Sequence, residues 1–287
     1  MNLNATDRIT ILYNFILVIF IFIFRPKIPA FTYHLAFNLS AILLVTVLRR
    51  RNMRSLTLRI LSLWYPLFFY PFLYYQTGLL NRIVVPQFLD DFFMNLDVMI
   101  FSEFPGFFLQ RVFGNAFFEE FFHFFYFSYY LIIPLTGILL YRKNEKLFER
   151  FVFQLSSLFC VCYLIYLFLP VEGPIALRDG DYHNDGLFRA VVDFIYAKGE
   201  NPGAAFPSSH VAVTLLVAWW GSKHFGRMKI FNWLTCLFLS IATVYCMFHY
   251  AVDVMGGLFL GALAILIFHW IDRNRNYEKT LQGKCRE

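Results

Sequence analysis

The chain has 287 residues, of which 59% are hydrophobic and only 15% are charged. A soluble domain carries roughly a quarter charged residues, so this composition excludes an ordinary soluble globular protein. The apolar residues arrive in blocks of about 20, the number that a helix needs to cross the hydrocarbon core of a bilayer. The sequence therefore predicts an all-α fold, a polytopic bundle of membrane helices with no soluble domain.

Eight spanning helices are predicted from these blocks. In chain order they cover residues 9–25, 29–48, 57–79, 118–141, 150–169, 207–222, 229–248 and 251–271. We expect the first block to span the membrane rather than act as a secretory signal, because it lacks a small-residue cleavage site. Residues 80–117 are expected to form short interfacial or re-entrant helices, and residues 170–206 are the most polar stretch of the chain.

The cationic residues predict the orientation, since loops on the cytoplasmic side are enriched in Lys and Arg. Only seven of the 25 Lys and Arg fall on the other side, namely Arg25, Lys27, Arg82, Arg111, Arg178, Arg189 and Lys198. Eight helices then place both termini in the cytoplasm. The net charge of +6 is thus an orientation signal, and no nucleic-acid partner is expected.

The opposite, exocytoplasmic side is predicted to be acidic. Some of its carboxylates are expected to be solvated loop residues, and others to serve a site. The acidic residues placed there are Asp90, Asp91, Asp97, Glu103, Glu119, Glu120, Glu172, Asp179, Asp181, Asp185, Asp193, Glu200 and Asp253.

A phosphate site is predicted on this side where the sixth helix begins. Pro207 suits the first turn of a helix, where its missing N–H costs nothing. Ser208 and Ser209 then place hydroxyls beside unpaired backbone N–H groups, at the positive end of the helix dipole. His210 follows directly and could donate a proton to the same phosphate or accept one from it.

A second histidine, His249, ends the seventh predicted helix, with Asp253 four residues later. If residues 248–254 are helical, the two side chains share one face, and the carboxylate can orient the imidazole. Such an imidazole can attack phosphorus and form a phosphohistidine, while His210 protonates the leaving oxygen and then deprotonates the incoming alcohol or water. The alternative is that both are ordinary membrane-helix histidines, which their shared side and partners disfavour.

The other histidines offer no comparable pattern. His34, His123 and His269 are expected to serve packing or interfacial roles, and His224 to be solvated in a cytoplasmic loop. His183 lies in the polar stretch and stays undecided.

At these positions the sequence resembles the type 2 phosphatidic acid phosphatase superfamily, and most closely the branch containing inositol phosphorylceramide synthase. The resemblance covers about residues 57–271. It implies a six-helix catalytic core with His249 as nucleophile, Asp253 as its partner, His210 as acid and base, and neither metal nor cofactor. Residues 1–56 would be a two-helix N-terminal addition, and residues 272–287 a cytoplasmic tail. The segments that carry it are Leu96-Asp97 through Phe107-Phe108-Leu109-Gln110-Arg111, Pro170-Val171-Glu172-Gly173-Pro174, Phe206-Pro207-Ser208-Ser209-His210-Val211-Ala212, Thr243-Val244-Tyr245 and His249-Tyr250-Ala251-Val252-Asp253-Val254.

Several cations typical of phosphatase members of this family are missing here. Ile175 stands where an Arg is common, and no charged residue precedes His249 closely. Arg178 is the best placed substitute for binding the phosphate, ahead of Arg189 and Lys198. Because a phosphodiester carries one charge and a phosphomonoester nearly two, this loss favours a diester lipid donor, with a cationic headgroup such as choline or ethanolamine.

Three functions remain open at this stage. The first is a phosphotransferase that moves a phospho-headgroup from a phospholipid to a lipid alcohol. The second is a phosphatase that hydrolyses phosphatidic acid or a polyprenyl pyrophosphate, with water as acceptor. The third is a channel or transporter, which the scarcity of ionisable residues at helix centres disfavours. Gly256, Gly257 and Gly261 predict close helix packing, either within one chain or between two.

Overall fold

The computed structural model describes residues 3–50, 56–178, 186–199 and 201–284. This part of the chain is predominantly helical and has no strand, which confirms the predicted all-α bundle. Three short 3₁₀ turns cover Arg25–Lys27, Pro174–Leu177 and Gly226–Met228. The α-helices are α1 (Ala5–Ile23), α2 (Phe31–Arg50), α3 (Leu56–Leu80), α4 (Asp90–Phe101), α5 (Pro105–Phe113), α6 (Ala116–Lys143), α7 (Glu145–Tyr166), α8 (Leu187–Gly199), α9 (Ser209–His224), α10 (Lys229–Tyr245) and α11 (Ala251–Lys284).

All eight predicted helices are present, but not all of them have the length and hydropathy of a spanning helix. In the described part of the chain six do, namely α1, α2, α6, α7, α10 and α11. Helices α4 and α5 form a pair bent by 62°, which would make a seventh span or a re-entrant loop. Helix α9 has only 16 residues, and α3 is a continuous helix that contains Pro66 and Pro71.

Asparagine and serine side chains begin several of these helices. Asn4 and Asp7 form a capping box at the start of α1. Asn115 accepts hydrogen bonds from two amides of α6, and Asn144 separates α6 from α7 and caps the latter. These side chains satisfy amides that have no partner within their own helix, so the ends of α1, α6 and α7 are fixed locally by the sequence.

Helix α9 lies at the centre of the bundle, where α6, α7, α10 and α11 pack around it. Its contact with α11 is close, and glycine makes this approach possible. A β-carbon at Gly257 would lie only 2.5 Å from the carbonyl oxygen of Ser208, and one at Gly261 only 2.9 Å from that of Ala212. The small residues predicted to allow close packing therefore do so within one chain.

The two N-terminal helices belong to the same core as the rest of the bundle. The ring of Tyr13 lies 6.4 Å from that of Tyr163 on α7, and Phe20 lies 6.2 Å from Phe168. The hydroxyl of Tyr65 donates a hydrogen bond of 3.1 Å to Asp7. Residues 1–56 were predicted as a two-helix addition to a catalytic core; α1 within them packs against α7, and the division into domains stays a prediction.

Candidate active site

His210 and His249 lie at the same end of the bundle and face each other. The Nε2 of His249 is 3.5 Å from the Nδ1 of His210. One ring comes from the first turn of α9, and the other from the connection between α10 and α11. The structure thus brings together the two imidazoles that the sequence analysis singled out from separate segments.

The segment that carries His249 is a tight turn and not part of a helix. Helix α10 ends at Tyr245, before the predicted end near His249, and α11 begins at Ala251. The condition that residues 248–254 are helical is therefore met only from Ala251 onwards. The turn closes because the amides of Phe248 and His249 both donate to the carbonyl of Thr243, each at 3.0 Å. Two orphan amides at a helix end are satisfied by one carbonyl, which orients the backbone of His249.

Asp253 reaches His249 in spite of this turn. Its Oδ2 lies 3.4 Å from the Nδ1 of His249. The same oxygen accepts a 2.8 Å hydrogen bond from the amide of Tyr250, directly before α11. The carboxylate therefore closes the first turn of its own helix and sits beside the imidazole, and both side chains are buried.

A second carboxylate, Asp97, fixes the start of α11 from outside. Its two oxygens accept hydrogen bonds of 2.8 Å from the amides of Ala251 and Val252. Asp97 lies on α4 and is fully buried. Its position fell within the resemblance to the family, but no spacing in the sequence linked it to α11, so its role was missed.

Asp90, at the start of α4, ties the same turn to the segment after α7. Its carboxylate accepts from the amides of Glu172 and Gly173, at 3.0 and 2.8 Å, and from the hydroxyl of Tyr250 at 3.1 Å. Gly173 has a φ of +89°, and a β-carbon there would lie 2.5 Å from the carbonyl oxygen of Phe248. Only glycine fits this close approach, which holds residues 172–173 against the turn that carries His249.

The start of α9 differs from the prediction in one respect. Pro207 precedes the N-cap instead of occupying the first turn, and Ser208 is the N-cap, with its hydroxyl accepting from the amide of Val211. The amide of Ser208 donates to the carbonyl of Asp253 at 3.0 Å, so α9 and α11 are joined at their first turns. The Ser208 side chain is fully buried, whereas Ser209 lines a cavity.

Three tyrosines of α6 surround His210. Its ring centroid lies 5.1 Å from that of Tyr126, 4.3 Å from that of Tyr129 and 6.4 Å from that of Tyr130. The hydroxyl of Tyr126 also lies 3.4 Å from the Nε2 of His210. The Nε2 of His210 is therefore directed towards a phenol, and its Nδ1 towards His249.

A cavity of about 480 Å³ extends from the two histidines between α3, α6, α7 and α8. Aromatic side chains form much of its wall, and among the described residues that line it, apart from the histidines, Glu172 is the only one with a charged side chain. The aromatic residues are Trp64, Phe68, Tyr70, Tyr74, Tyr126, Tyr129, Tyr130, Phe159, Tyr163, Tyr196 and Phe248.

Arg178, predicted as a phosphate ligand, does not line this cavity. Its guanidinium pairs with Asp193 at 2.5 Å, lies 4.5 Å above the ring of Phe248 and donates to the Nε2 of His123 at 3.1 Å. Phe248 does line the cavity, so the cation contacts a side chain that borders the histidines. His123, for which no comparable partner was expected, is buried and bonded to this arginine.

The outer carboxylates of α6 hold helix α8 over the cavity. Glu120 accepts hydrogen bonds from the amides of Phe188 and Arg189, and Glu119 pairs with the Arg189 side chain at 2.8 Å. Helix α8 was not foreseen within the polar stretch. Other predictions for this stretch lie outside the described residues, namely those for Asp179, Asp181, His183, Asp185 and Glu200.

The environment of His249 favours its neutral form. Burial lowers the pKa of His249 to about 4, with a smaller opposing contribution from the backbone of Ala205. A neutral imidazole has one protonated and one free nitrogen, and the carboxylate of Asp253 beside Nδ1 favours the tautomer that leaves Nε2 free. Within residues 3–50, 56–178, 186–199 and 201–284, no group of three His, Cys, Asp or Glu side chains could hold a metal ion.

These features define a class of helical membrane protein in which two imidazoles, one buried and one half-buried, face each other at one end of the bundle. The family model of the PAP2 superfamily matches residues 92–267, and the chain belongs to that superfamily. Its members are phosphatases and phosphotransferases, so the chain is an enzyme of this general chemistry. No curated protein and no solved structure matches the chain.

Proposed function

We propose that the protein is a membrane lipid phosphotransferase, which moves a phospho-headgroup from a phospholipid to a lipid alcohol through a phosphohistidine on His249. The observation that carries this proposal is the 3.5 Å approach of His249 Nε2 to His210 Nδ1, at one end of a cavity rich in aromatic side chains. Because this distance leaves no room for a phosphoryl group, the two rings separate when the substrate binds. The phosphoryl group then meets a nucleophile on one side and a proton carrier on the other.

In the first step, the free Nε2 of His249 attacks the phosphorus of the donor. The bond from phosphorus to the glycerol oxygen breaks, and His210 gives a proton to that oxygen, so that diacylglycerol leaves. Burial favours neutral His210 in the free enzyme, and the negative charge of the bound phosphate favours the protonated form that this step uses. In the second step, the hydroxyl of a lipid alcohol gives its proton to His210 and attacks phosphorus, and the bond from phosphorus to Nε2 breaks. Asp253 stabilises the positive charge that develops on His249. No step in this scheme calls on a metal or a cofactor.

The cavity supports transfer to an alcohol over hydrolysis. The described residues of its wall include one carboxylate and eleven aromatic side chains, a surface that suits a lipid alcohol and disfavours bulk water. The hydrolysis of phosphatidic acid or a polyprenyl pyrophosphate uses the same histidines, but its more highly charged phosphate would meet no lysine or arginine among the described lining residues.

We place the active site on the exocytoplasmic face, with both termini in the cytoplasm. In support of this, Arg142 and Lys143 end α6 at the opposite end of the bundle from the histidines. Lys143 donates to the carbonyl of His224 at the end of α9, which aligns these ends. Single-cysteine variants at Glu103 and Lys146 test this in sealed vesicles whose exocytoplasmic face is outside. We expect an impermeant thiol reagent to label residue 103, and labelling at residue 146 alone contradicts the assignment.

The test of the function is a lipid screen with purified protein in mixed micelles. Radiolabelled phosphodiester lipids, phosphatidic acid and a polyprenyl pyrophosphate are each supplied with and without ceramide or diacylglycerol as acceptor. We expect labelled transfer product with a diester donor, and acid-labile label on the protein that is absent from His249→Ala. Rapid release of inorganic phosphate from phosphatidic acid, without transfer from any diester, would establish the phosphatase instead.

A further inference from the structure

The cavity beside the histidines has an unusual balance of charge for a site that binds phosphate. Among the described residues that line it there is no lysine or arginine, and Glu172 adds a negative charge. An anion taken into such an environment without a counter-charge loses its hydration and gains little in return. A substrate that enters it therefore needs to bring a positive charge of its own.

Glu172 is held beside the turn that carries His249. Its amide and that of Gly173 donate to Asp90, and Gly173 lies against the carbonyl of Phe248. On its other side, the carbonyl of Val171 accepts a 2.8 Å hydrogen bond from the amide of Ala205. These bonds fix the backbone that carries Glu172, and its side chain lines the same cavity as the imidazole of His249.

Aromatic rings also line this cavity. Tyr74, Tyr126, Tyr196 and Phe248 line the cavity together with Glu172, and the ring of Tyr196 lies 5.2 Å from that of Phe248. Aromatic faces attract ammonium groups through their quadrupole, and several rings with one carboxylate are a common arrangement for binding quaternary ammonium.

We propose that Glu172 and the neighbouring aromatic rings form a subsite for the ammonium group of a zwitterionic donor headgroup. The enzyme would then select phosphodiesters of choline or ethanolamine over those with an uncharged polyol. The ethylene bridge of such a headgroup keeps its cation close to its phosphate, which suits a cavity lined by both Glu172 and His249. This inference rests on the proposed phosphotransfer and specifies its donor.

The experiment compares donors with identical acyl chains and labelled phosphate, namely phosphatidylcholine, phosphatidylethanolamine, phosphatidylglycerol and phosphatidylinositol, with ceramide as acceptor. Acid-labile labelling of the protein is recorded beside the transfer product, so that donor use is read without dependence on the acceptor. We expect kcat/KM for the two ammonium donors to exceed that for the two anionic donors by about tenfold or more.

The variant Glu172→Gln keeps the shape of the side chain and removes its charge. We expect it to lower kcat/KM for phosphatidylcholine about tenfold, mainly through KM, and to leave phosphatidylglycerol within about twofold. Tyr196→Leu should act in the same direction, and Tyr196→Phe should retain most of the preference because it keeps the ring. Glu103→Gln is the matched control, since that carboxylate is paired with Arg111 outside the cavity.

The outcomes separate the two proposals. Phosphotransfer that depends on His249 but uses phosphatidylglycerol or phosphatidylinositol as well as phosphatidylcholine overturns the subsite and leaves the function standing. An equal effect of Glu172→Gln on all donors also overturns the subsite, because it assigns the carboxylate a purely structural role. If no diester labels the protein, both proposals fall.

Discussion

The Nδ1 of His249 lies 3.4 Å from the Oδ2 of Asp253, although the histidine is outside the helix that carries the aspartate. Because the backbone leaves helical geometry between them, their approach depends on the bonds that close the turn. These are the two amides donated to Thr243, the amide of Tyr250 donated to Asp253, and the two amides donated to Asp97.

Replacing either histidine should abolish turnover. We expect His249→Ala and His210→Ala each to lower kcat/KM by about 10³-fold or more, since they remove the proposed nucleophile and the proton carrier. His249→Ala should also abolish the acid-labile label. The control is His269→Ala, an exposed position on α11. Label retained in folded His249→Ala would exclude this residue as nucleophile.

Asp253→Asn should separate the effect of Asp253 on the His249 imidazole from its effect on the stability of the fold. The amide oxygen of Asn can still accept from Tyr250, but it cannot stabilise a positive charge on His249 as a carboxylate does. We expect kcat to fall by roughly 10²- to 10⁴-fold with little change in KM or in thermal unfolding. A change confined to KM would contradict the orienting role.

Asp97→Ala should damage the site from a distance. It leaves the amides of Ala251 and Val252 without their acceptor in a buried position, which costs about 1–3 kcal/mol of the free energy of unfolding for each unsatisfied group. We expect a lower unfolding temperature in detergent and a lower kcat, because α11 carries Asp253. Asp97→Asn should recover part of both losses. The comparison is Glu103→Ala, and equal losses in that variant would argue against a specific role for Asp97.

Arg178 can be tested through its partner. In the structure its guanidinium pairs with Asp193 and contacts Phe248, which borders the histidines. If Arg178 acts by positioning Phe248, Arg178→Gln and Asp193→Asn should lower kcat and the unfolding temperature together, for every donor. If it binds phosphate instead, Arg178→Gln should raise KM for the donor while Asp193→Asn leaves KM unchanged. Measurements of kcat, KM and unfolding on both variants decide.

The pH dependence should show the neutral state of His249. Burial lowers its pKa to about 4, below the ordinary value, and protonation would occupy the nitrogen that attacks. The unprotonated fraction therefore stays near one from pH 7 down to about 5, and kcat/KM should fall only as the pH approaches about 4. A loss of kcat/KM on the acid side centred near the ordinary histidine pKa of about 6.5 would show that burial does not act in this way.

The histidines and the helices could be predicted from the sequence because their signals are local. Apolar blocks predict helices. Ser208, Ser209 and His210 are consecutive, and Asp253 follows His249 by only four residues. The hydrogen-bond partners of Asp97 and Asp90 could not be predicted, because they lie far along the chain. In addition, the sequence does not distinguish a buried carboxylate bound to amides from a solvated one. Arg178 was placed near the site, but its pairing with Asp193 depends on the fold of α8.

Helix α3 contributes Trp64, Phe68, Tyr70 and Tyr74 to the cavity, yet it precedes the segment matched by the family, which starts at residue 92. His210, His249 and Asp253 all lie within that segment, whereas one side of the cavity beside them does not. Under the proposed function, substitutions in α3 would change which lipids fit the cavity without altering the groups proposed to transfer the phosphoryl group. The lipid range and the phosphoryl chemistry of such an enzyme can then evolve separately.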